Sequence, residues 1–182
     1  MALETRESRP MTMKFNKNRN WLIKRAEQED QHFISVGGLR CYEELRMNSE
    51  LAKKLYERVP ELYRQKDLPM SQTCMCWGFD VDDGWFDILW MLSLALEDES
   101  KQTGAKIEAS QVKEKFGGLR FYTGPCTDRG YDLISMAETL SVRRCEVCGK
   151  HGKTCSSGHW LKTVCKEHAA LLKYVWKEEG AA

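Results

Sequence analysis

The sequence predicts an α+β fold: a mainly helical core, a β-hairpin or small antiparallel sheet, and a compact finger at the C-terminal end. Three observations carry that expectation. Trp85 to Leu96 repeats apolar residues at helical spacing, residues 111–122 alternate about a glycine pair, and two short ligand-type pairs, Cys145/Cys148 and Cys165/His168, lie near the C-terminus.

Taken in order, Met1 to Asn20 carries Arg6, Arg9, Lys14, Lys17 and Arg19 with little to bury, which predicts a flexible basic arm over residues 1–20. An α+β main domain is expected over 21–143, and a finger module with a C-terminal helix over 144–182. A helix is expected over about Trp21 to Gln31, then an extended piece ending in Gly37-Gly38. Asn48 and Ser49 offer N-caps for a helix with Leu51, Leu55 and Val59 on one face and Pro60 at its end.

The central helix follows Asp82 and Asp83, either of which is able to cap it. Trp85, Ile88, Leu89, Leu92 and Leu96 line one face, and Phe86, Trp90 and Leu94 fill the other, so this helix is expected to be a spine buried on both sides. Trp77, Trp85 and Trp90 are expected in the core rather than in a base-stacking box.

Gln111 to Tyr122 alternates on either side of Gly117-Gly118, a hairpin signature. Strand periodicity puts Val112, Glu114 and Phe116 on one side and Lys113 and Lys115 on the other; in the return strand Leu119 and Phe121 separate from Arg120 and Tyr122. A register that sets Arg120 beside the lysines creates a face of three cations and a tyrosine ring. That set suits a phosphate-bearing ligand, with arginine as a bidentate fork and tyrosine as a stacking surface; the competing reading is a solvated edge protected by lysines. A last helix before the finger, about Arg129 to Val142 with Leu133, Ile134, Ala137 and Leu140 on one face, runs into Arg143 and Arg144.

Cys145, Cys148, Cys165 and His168 have the residue types and pair spacing of a structural zinc site. Gly149 permits a tight knuckle after Cys148. Residues 153–164 read as a hairpin turning at Ser156-Ser157-Gly158, and Cys165 and His168 open a helix with Ala169, Leu172, Val175 and Trp176 below. Knuckle, hairpin and helix together describe a treble-clef-like finger. A four-ligand site is closed and leaves no position for an activated water. Cys155, His151 and His159 lie between the pairs and compete as ligands. His159 on the hairpin also permits an HNH-like nuclease remnant, although the accompanying aspartate or second histidine of such enzymes is not evident.

The chain has 182 residues, eight cysteines and a net charge of +1. With ligand-type spacing and no cleavable leader, Cys41, Cys74, Cys76 and Cys126 are expected to be reduced thiols in a cytoplasmic protein, and no apolar run approaches membrane-spanning length. Charge is uneven. Eight Lys or Arg oppose four Glu from Arg143 onward, whereas Gly78 to Glu99 holds seven acids and no base.

Gly84-Trp-Phe-Asp87, Val112-Lys-Glu-Lys-Phe-Gly-Gly-Leu-Arg-Phe-Tyr122, Cys145-Glu-Val-Cys-Gly149 and Trp160 to His168, in this order, resemble an uncharacterised family of small proteins from tailed phages, prophages and bacteria. The resemblance covers about residues 77 to 170. It implies a phage or mobile-element origin, host cytoplasm as the location, and a zinc site; it implies no particular reaction. Two functional expectations follow. One is nucleic-acid or nucleotide binding through Lys113, Lys115, Arg120, Tyr122, Arg143 and Arg144, joined by Lys150, Lys153 and Lys162 of the finger. The other is a protein-binding module, such as a host-interaction or counter-defence factor, with a purely structural zinc.

Overall fold

The computed structural model describes residues 46–176. The expected basic arm, the helix over Trp21 to Gln31, the Gly37-Gly38 segment and Cys41 lie outside the described residues. Helix α1 spans Ser49–Arg58, and Asn48 caps it by accepting from the Glu50 amide at 2.8 Å. Leu55 and Val59 are buried with Leu51 packed beside them, as the spacing requires.

Two 3-10 turns, Arg64–Asp67 and Met75–Trp77, lead to the short strand β1, Phe79–Asp80. A third, Asp83–Trp85, precedes helix α2, Phe86–Thr103. This extra turn corrects the capping expectation. Trp85 occupies the cap position without a side-chain bond, and Asp83 instead accepts from the Asn48 amide at 2.6 Å, joining the starts of α1 and α2. Phe86, Leu89, Leu92 and Leu96 of α2 are buried, while Ile88, Trp90 and Leu94 are only partly covered and Met91 is exposed. The spine is therefore buried on one face and half-covered on the other. Of the three tryptophans, Trp85 is fully buried; Trp77 is 49% exposed beneath the Arg46 guanidinium, against the core expectation.

Strands β2, Ala109–Lys115, and β3, Gly118–Thr123, form the expected hairpin. Its turn is Phe116-Gly117 rather than the glycine pair: Lys115 faces Gly118 across the closing pair, and both loop residues have positive φ, 56° and 79°. A two-residue turn of this hand matches the strand twist, which is why a glycine is needed at 117. The sheet is mixed, not purely antiparallel, because β1 pairs parallel to β2 on the side opposite β3. The α2 crossover supplies the length such a parallel pairing needs. Two residues are too few for β1 to show a period in sequence.

Helix α3 spans Asp128–Ser141 with Thr127 as its cap, accepting from the Gly130 amide at 3.0 Å. Ile134 and Ala137 are buried and Leu133 is partly so, but Leu140 lies outside, 53% exposed. The helix covers the free edge of β3. Ser141 Oγ accepts from the Leu119 amide at 2.9 Å and Glu138 Oε1 from the Phe121 amide at 3.0 Å, so this edge is closed by side chains and does not depend on lysines alone. In the core, fully buried Tyr63 touches Phe79, Tyr56 and Phe121 and shares a 2.6 Å hydrogen bond with Ser93.

The finger comprises strands β4, Lys153–Ser157, and β5, Trp160–Val164, paired antiparallel, and helix α4, Lys166–Leu171. The helix is shorter than its apolar stripe suggested. Lys173 turns with φ 59°, and the Val175 amide then donates to Ser156 O at 2.8 Å, so the chain returns to β4 instead of continuing the helix. The described residues all fall in one compact unit. No described helix is long and apolar enough to cross a membrane.

Candidate metal centre and basic hairpin face

The knuckle is built by backbone bonds. The Cys145 amide donates to Lys150 O at 2.8 Å and the Gly149 amide to Cys145 O at 2.8 Å, with Gly149 at φ 72°, a conformation glycine adopts without penalty. Cys165 is the residue before α4, and His168 sits in its first turn, where the Ala169 amide donates to Cys165 O at 2.8 Å. The hairpin β4–β5 spans the gap between the two pairs.

The result is a convergent donor set. One ligand atom from each of Cys145, Cys148, Cys165 and His168 lies within 4.8 Å of the others, so the four form a group able to hold a metal ion. Around a tetrahedral ion with metal–sulfur bonds of about 2.3 Å and metal–nitrogen bonds of about 2.0 Å, sulfur pairs fall about 3.8 Å apart and sulfur–nitrogen pairs about 3.5 Å. Here Cys148 Sγ and Cys165 Sγ are 3.9 Å apart, and His168 Nδ1 lies 3.5 Å from Cys145 Sγ and 3.2 Å from Cys165 Sγ. Nδ1 is therefore the nitrogen aimed at the centre. Three of the four residues are buried and Cys148 is partly exposed. A hydrogen bond from the Cys148 thiol, opposed by burial and aided by His168 and the Cys165 amide, holds Cys145 well below the ordinary thiol range; the same bond pushes Cys148 up. Thiolate is the form in which cysteine binds metal.

The three competing residues fall outside this group. Cys155 is buried in the finger core, its thiol directed at Lys153 O; His151 pairs with Arg144 in a backbone bridge and is exposed; His159 is exposed at the β4–β5 turn. Outside the finger, Cys74, Cys76 and Cys126 are free thiols.

The finger is fastened to the body along one seam. The Gly84 amide donates to Glu146 O at 2.6 Å, Trp85 Nε1 to Arg144 O at 2.9 Å, and the Asp82 amide to Glu146 Oε1 at 3.2 Å. Thr163 Oγ1 donates to Gly117 O, bringing the turn of β2–β3 onto the finger hairpin. An ion triad centred on buried Glu146 completes the seam: the partly buried Lys162 Nζ lies 2.8 Å from Glu146 Oε2 and 3.1 Å from Asp82 Oδ2, with Glu146 only 2% exposed. Burial pushes the Glu146 carboxyl up to about 7, opposed by Lys162. Burial alone would lower the Lys162 ammonium, but Glu146 and Asp82 outweigh it and push it up.

This triad corrects one expectation: Lys162 is spent inside the protein and does not belong to a surface for phosphates. Alternation along β5 signalled it, since Lys162 shares a strand face with Trp160 and with buried Val164. Among the other finger cations, Lys150 faces Glu167 at 3.2 Å, Arg144 Nη1 donates to Gly149 O at 3.0 Å, and Lys153 lies 4.3 Å over the Trp176 ring.

The hairpin register does group the expected ligand residues. Lys113 is opposite Arg120 and Gln111 opposite Tyr122, with Lys115 two residues along, so Lys113, Lys115, Arg120 and Tyr122 share one face. Val112, Leu119 and Phe121 face the core. Lys113 Nζ sits 5.6 Å over the Tyr122 ring, and Lys115 Nζ 5.4 Å over Phe116. Arg120 is shared with Glu138 at 3.6 Å, and Asp80 of β1 is the cross-strand partner of Lys113. An alanine-type Cβ at Gly118 would meet Val142 at 3.3 Å, which places the end of α3, and Arg143 after it, beside this end of the hairpin. Arg143 and Arg144 are both exposed.

No family model, curated protein or solved structure matches this chain.

Proposed function

We propose that the protein binds zinc as a structural ion and binds nucleic acid, or another phosphate-bearing ligand, through the β2–β3 face and the adjoining end of α3. Three thiols and one imidazole are the donor set zinc favours over harder divalent ions, and a four-ligand tetrahedron is closed to substrate. The order knuckle, hairpin, helix supports a treble-clef-like reading of the finger. The observation that carries the ligand reading is the register, which gathers Lys113, Lys115, Arg120 and Tyr122 on one face. With Lys162 withdrawn, the available cations are Lys113, Lys115, Arg120, Arg143 and in part Arg144 and Lys153. That supports about three to five phosphate contacts, hence modest affinity with a log–log salt slope on duplex DNA of about −2.7 to −4.5. The sequence resemblance supports a phage-type accessory role in a host cytoplasm.

The test has two parts. Elemental analysis of protein purified without added metal should return one zinc per chain. Fluorescence anisotropy of that protein against labelled nucleic acid over a salt series should show micromolar binding that weakens steeply with salt; salt-insensitive behaviour or no binding at low salt rejects the ligand reading while leaving the zinc reading intact.

A second reading, a protein-binding module that meets a host protein, is favoured by one observation: Trp160 and Phe116, at the turns of the two hairpins, are 77% and 69% exposed. It predicts capture of a specific protein that persists at high salt. The HNH-like remnant has less support, since His159 is exposed at a turn and stands apart from the four-residue cluster.

A further inference from the structure

The β2–β3 face alternates cations with exposed rings. Tyr122, 42% exposed, projects beside Lys113 and Arg120, and Phe116, 69% exposed, stands at the turn beside Lys115. Its electrostatic strength is limited. Asp80 lies across from Lys113, and Glu138 shares Arg120, so carboxylates offset much of the charge of the three cations. From this combination we infer that the face is a platform for single-stranded nucleic acid, with unpaired bases stacked on Tyr122 and Phe116 and the backbone phosphates met by Lys113, Lys115 and Arg120. This rests on the nucleic-acid reading above and narrows it.

Magnitudes decide between single strand and duplex. Duplex binding without groove contacts draws on phosphate neutralisation alone, and three partly offset cations yield little of it. Base–aromatic stacking adds about 1–3 kcal/mol per base, that is, about fivefold to 150-fold for each ring, and only unpaired bases can reach the rings. The spacing also suits a strand. Gly118 to Tyr122 spans roughly 14 Å at about 3.4 Å per residue, the reach of a few nucleotides. Tyr122 and Phe116 both keep exposed ring surface with which a base can stack.

The experiment is anisotropy of the zinc-loaded full chain with labelled oligo-dT, oligo-U and a mixed-sequence duplex, each of about 12 nucleotides or base pairs, at about 50 mM and about 200 mM salt. The expected result is single-strand binding at least about tenfold tighter than duplex. Tyr122→Ala and Phe116→Gly should each weaken it by about fivefold or more while melting stays near wild type, and Tyr122→Phe should restore it. Glycine at 116 removes the ring without opposing the positive φ there. Comparable dT and U binding fits a platform that reads stacking and phosphate; a strong preference for U would add a 2′-hydroxyl contact to the same platform. Duplex binding as tight as single-strand binding, or single-strand binding indifferent to both ring variants, overturns the inference while leaving salt-dependent nucleic-acid binding standing. Absence of binding to every probe overturns both.

Discussion

Replacing Gly84 with alanine perturbs the seam without removing a metal-ligating side chain. A Cβ at position 84 would lie 2.2 Å from Cys145 O, 2.5 Å from Glu146 O and 2.5 Å from Gly149 N. All three are backbone atoms of the knuckle and none can rotate away, so the finger must move by about 1 Å to reach ordinary contact distances. Overpacking of this kind costs about 1–3 kcal/mol. The displacement also strains the Gly84–Glu146 and Trp85–Arg144 bonds, each contributing about 1 kcal/mol. The expected loss is about 3–5 kcal/mol, a large share of the 5–15 kcal/mol typical of a domain. Urea unfolding followed by tryptophan emission reads it; with a slope of about 2 kcal/mol/M the midpoint falls by about 2 M. Metal stoichiometry should remain one per chain, because all four donor side chains are retained and the finger moves as a unit. Gly124→Ala is the control, since a Cβ there meets nothing within 4 Å. A Gly84→Ala midpoint indistinguishable from that control would refute the close docking of finger on body.

Four further outcomes are expected. Cys145→Ser, or metal removal by chelator, should abolish stoichiometric metal and lower the melting temperature of the whole unit, with a change in Trp85 emission because its indole bonds Arg144 O; retained metal would refute the ligand set. Lys162→Met should cost about 3–5 kcal/mol by stranding buried Glu146, and adding Glu146→Gln should recover much of that; a single-variant loss under about 1 kcal/mol would contradict the buried triad. Ser141→Ala leaves the buried Leu119 amide without its acceptor and should cost about 1–3 kcal/mol in urea titrations. In alkali, burial pushes Tyr63 above the ordinary phenol range and Tyr56 up to about 12, so the folded state retains protons that the unfolded chain releases; stability is full below about pH 10 and falls as pH rises above it. Melting temperatures level from pH 8 to 11 would contradict the burial of these rings as neutral groups.

How much the sequence disclosed follows from the range of the signals involved. The four metal-cluster residues and the hairpin were legible because each depends on local spacing: a two-residue gap within each pair, the second of them on one helical turn, and a period of two. The cap of α1 by Asn48 and the limits of α3, within a residue or so, were readable for the same reason. What escaped depends on meetings between distant segments. Asp83 looked like a helix cap, yet it bonds the Asn48 amide 35 residues earlier. Trp77 had the hydrophobicity for the core but lies on a short 3-10 turn that leaves it outside. Val175 continued an apolar stripe by spacing, whereas its backbone pairs with Ser156. Lys162 was counted as a surface cation because charge suggests solvent; only its strand parity with Val164 hinted otherwise, and its partners lie 16 and 80 residues away in sequence.

Four short segments, residues 84–87, 112–122, 145–149 and 160–168, acquire a common physical role at the seam. Gly84 and Trp85 lie against Cys145, Glu146 and Arg144; the turn at Gly117 receives Thr163 and would clash with Thr154 at 2.7 Å if it carried a Cβ; and Lys162, between Trp160 and the second ligand pair, neutralises Glu146 from inside. These short stretches are therefore the four walls of one joint, with Glu146 at its centre: its amide donates to Thr163, its carbonyl accepts from Gly84, and its carboxylate meets Lys162 and the Asp82 amide. A metal ion at Cys145 and Cys148 would hold the chain on either side of that position and so constrain the geometry of these bonds. A metal ion held by this cluster would consequently stabilise more than the finger. It would set the 82–85 turn from which α2 starts and, through the Thr163–Gly117 bond, the end of the hairpin that presents Lys115 and Phe116, so metal loss is expected to weaken the nucleic-acid binding proposed for the β2–β3 face, and an anisotropy titration of chelator-treated protein that matches the metal-loaded one would refute this coupling.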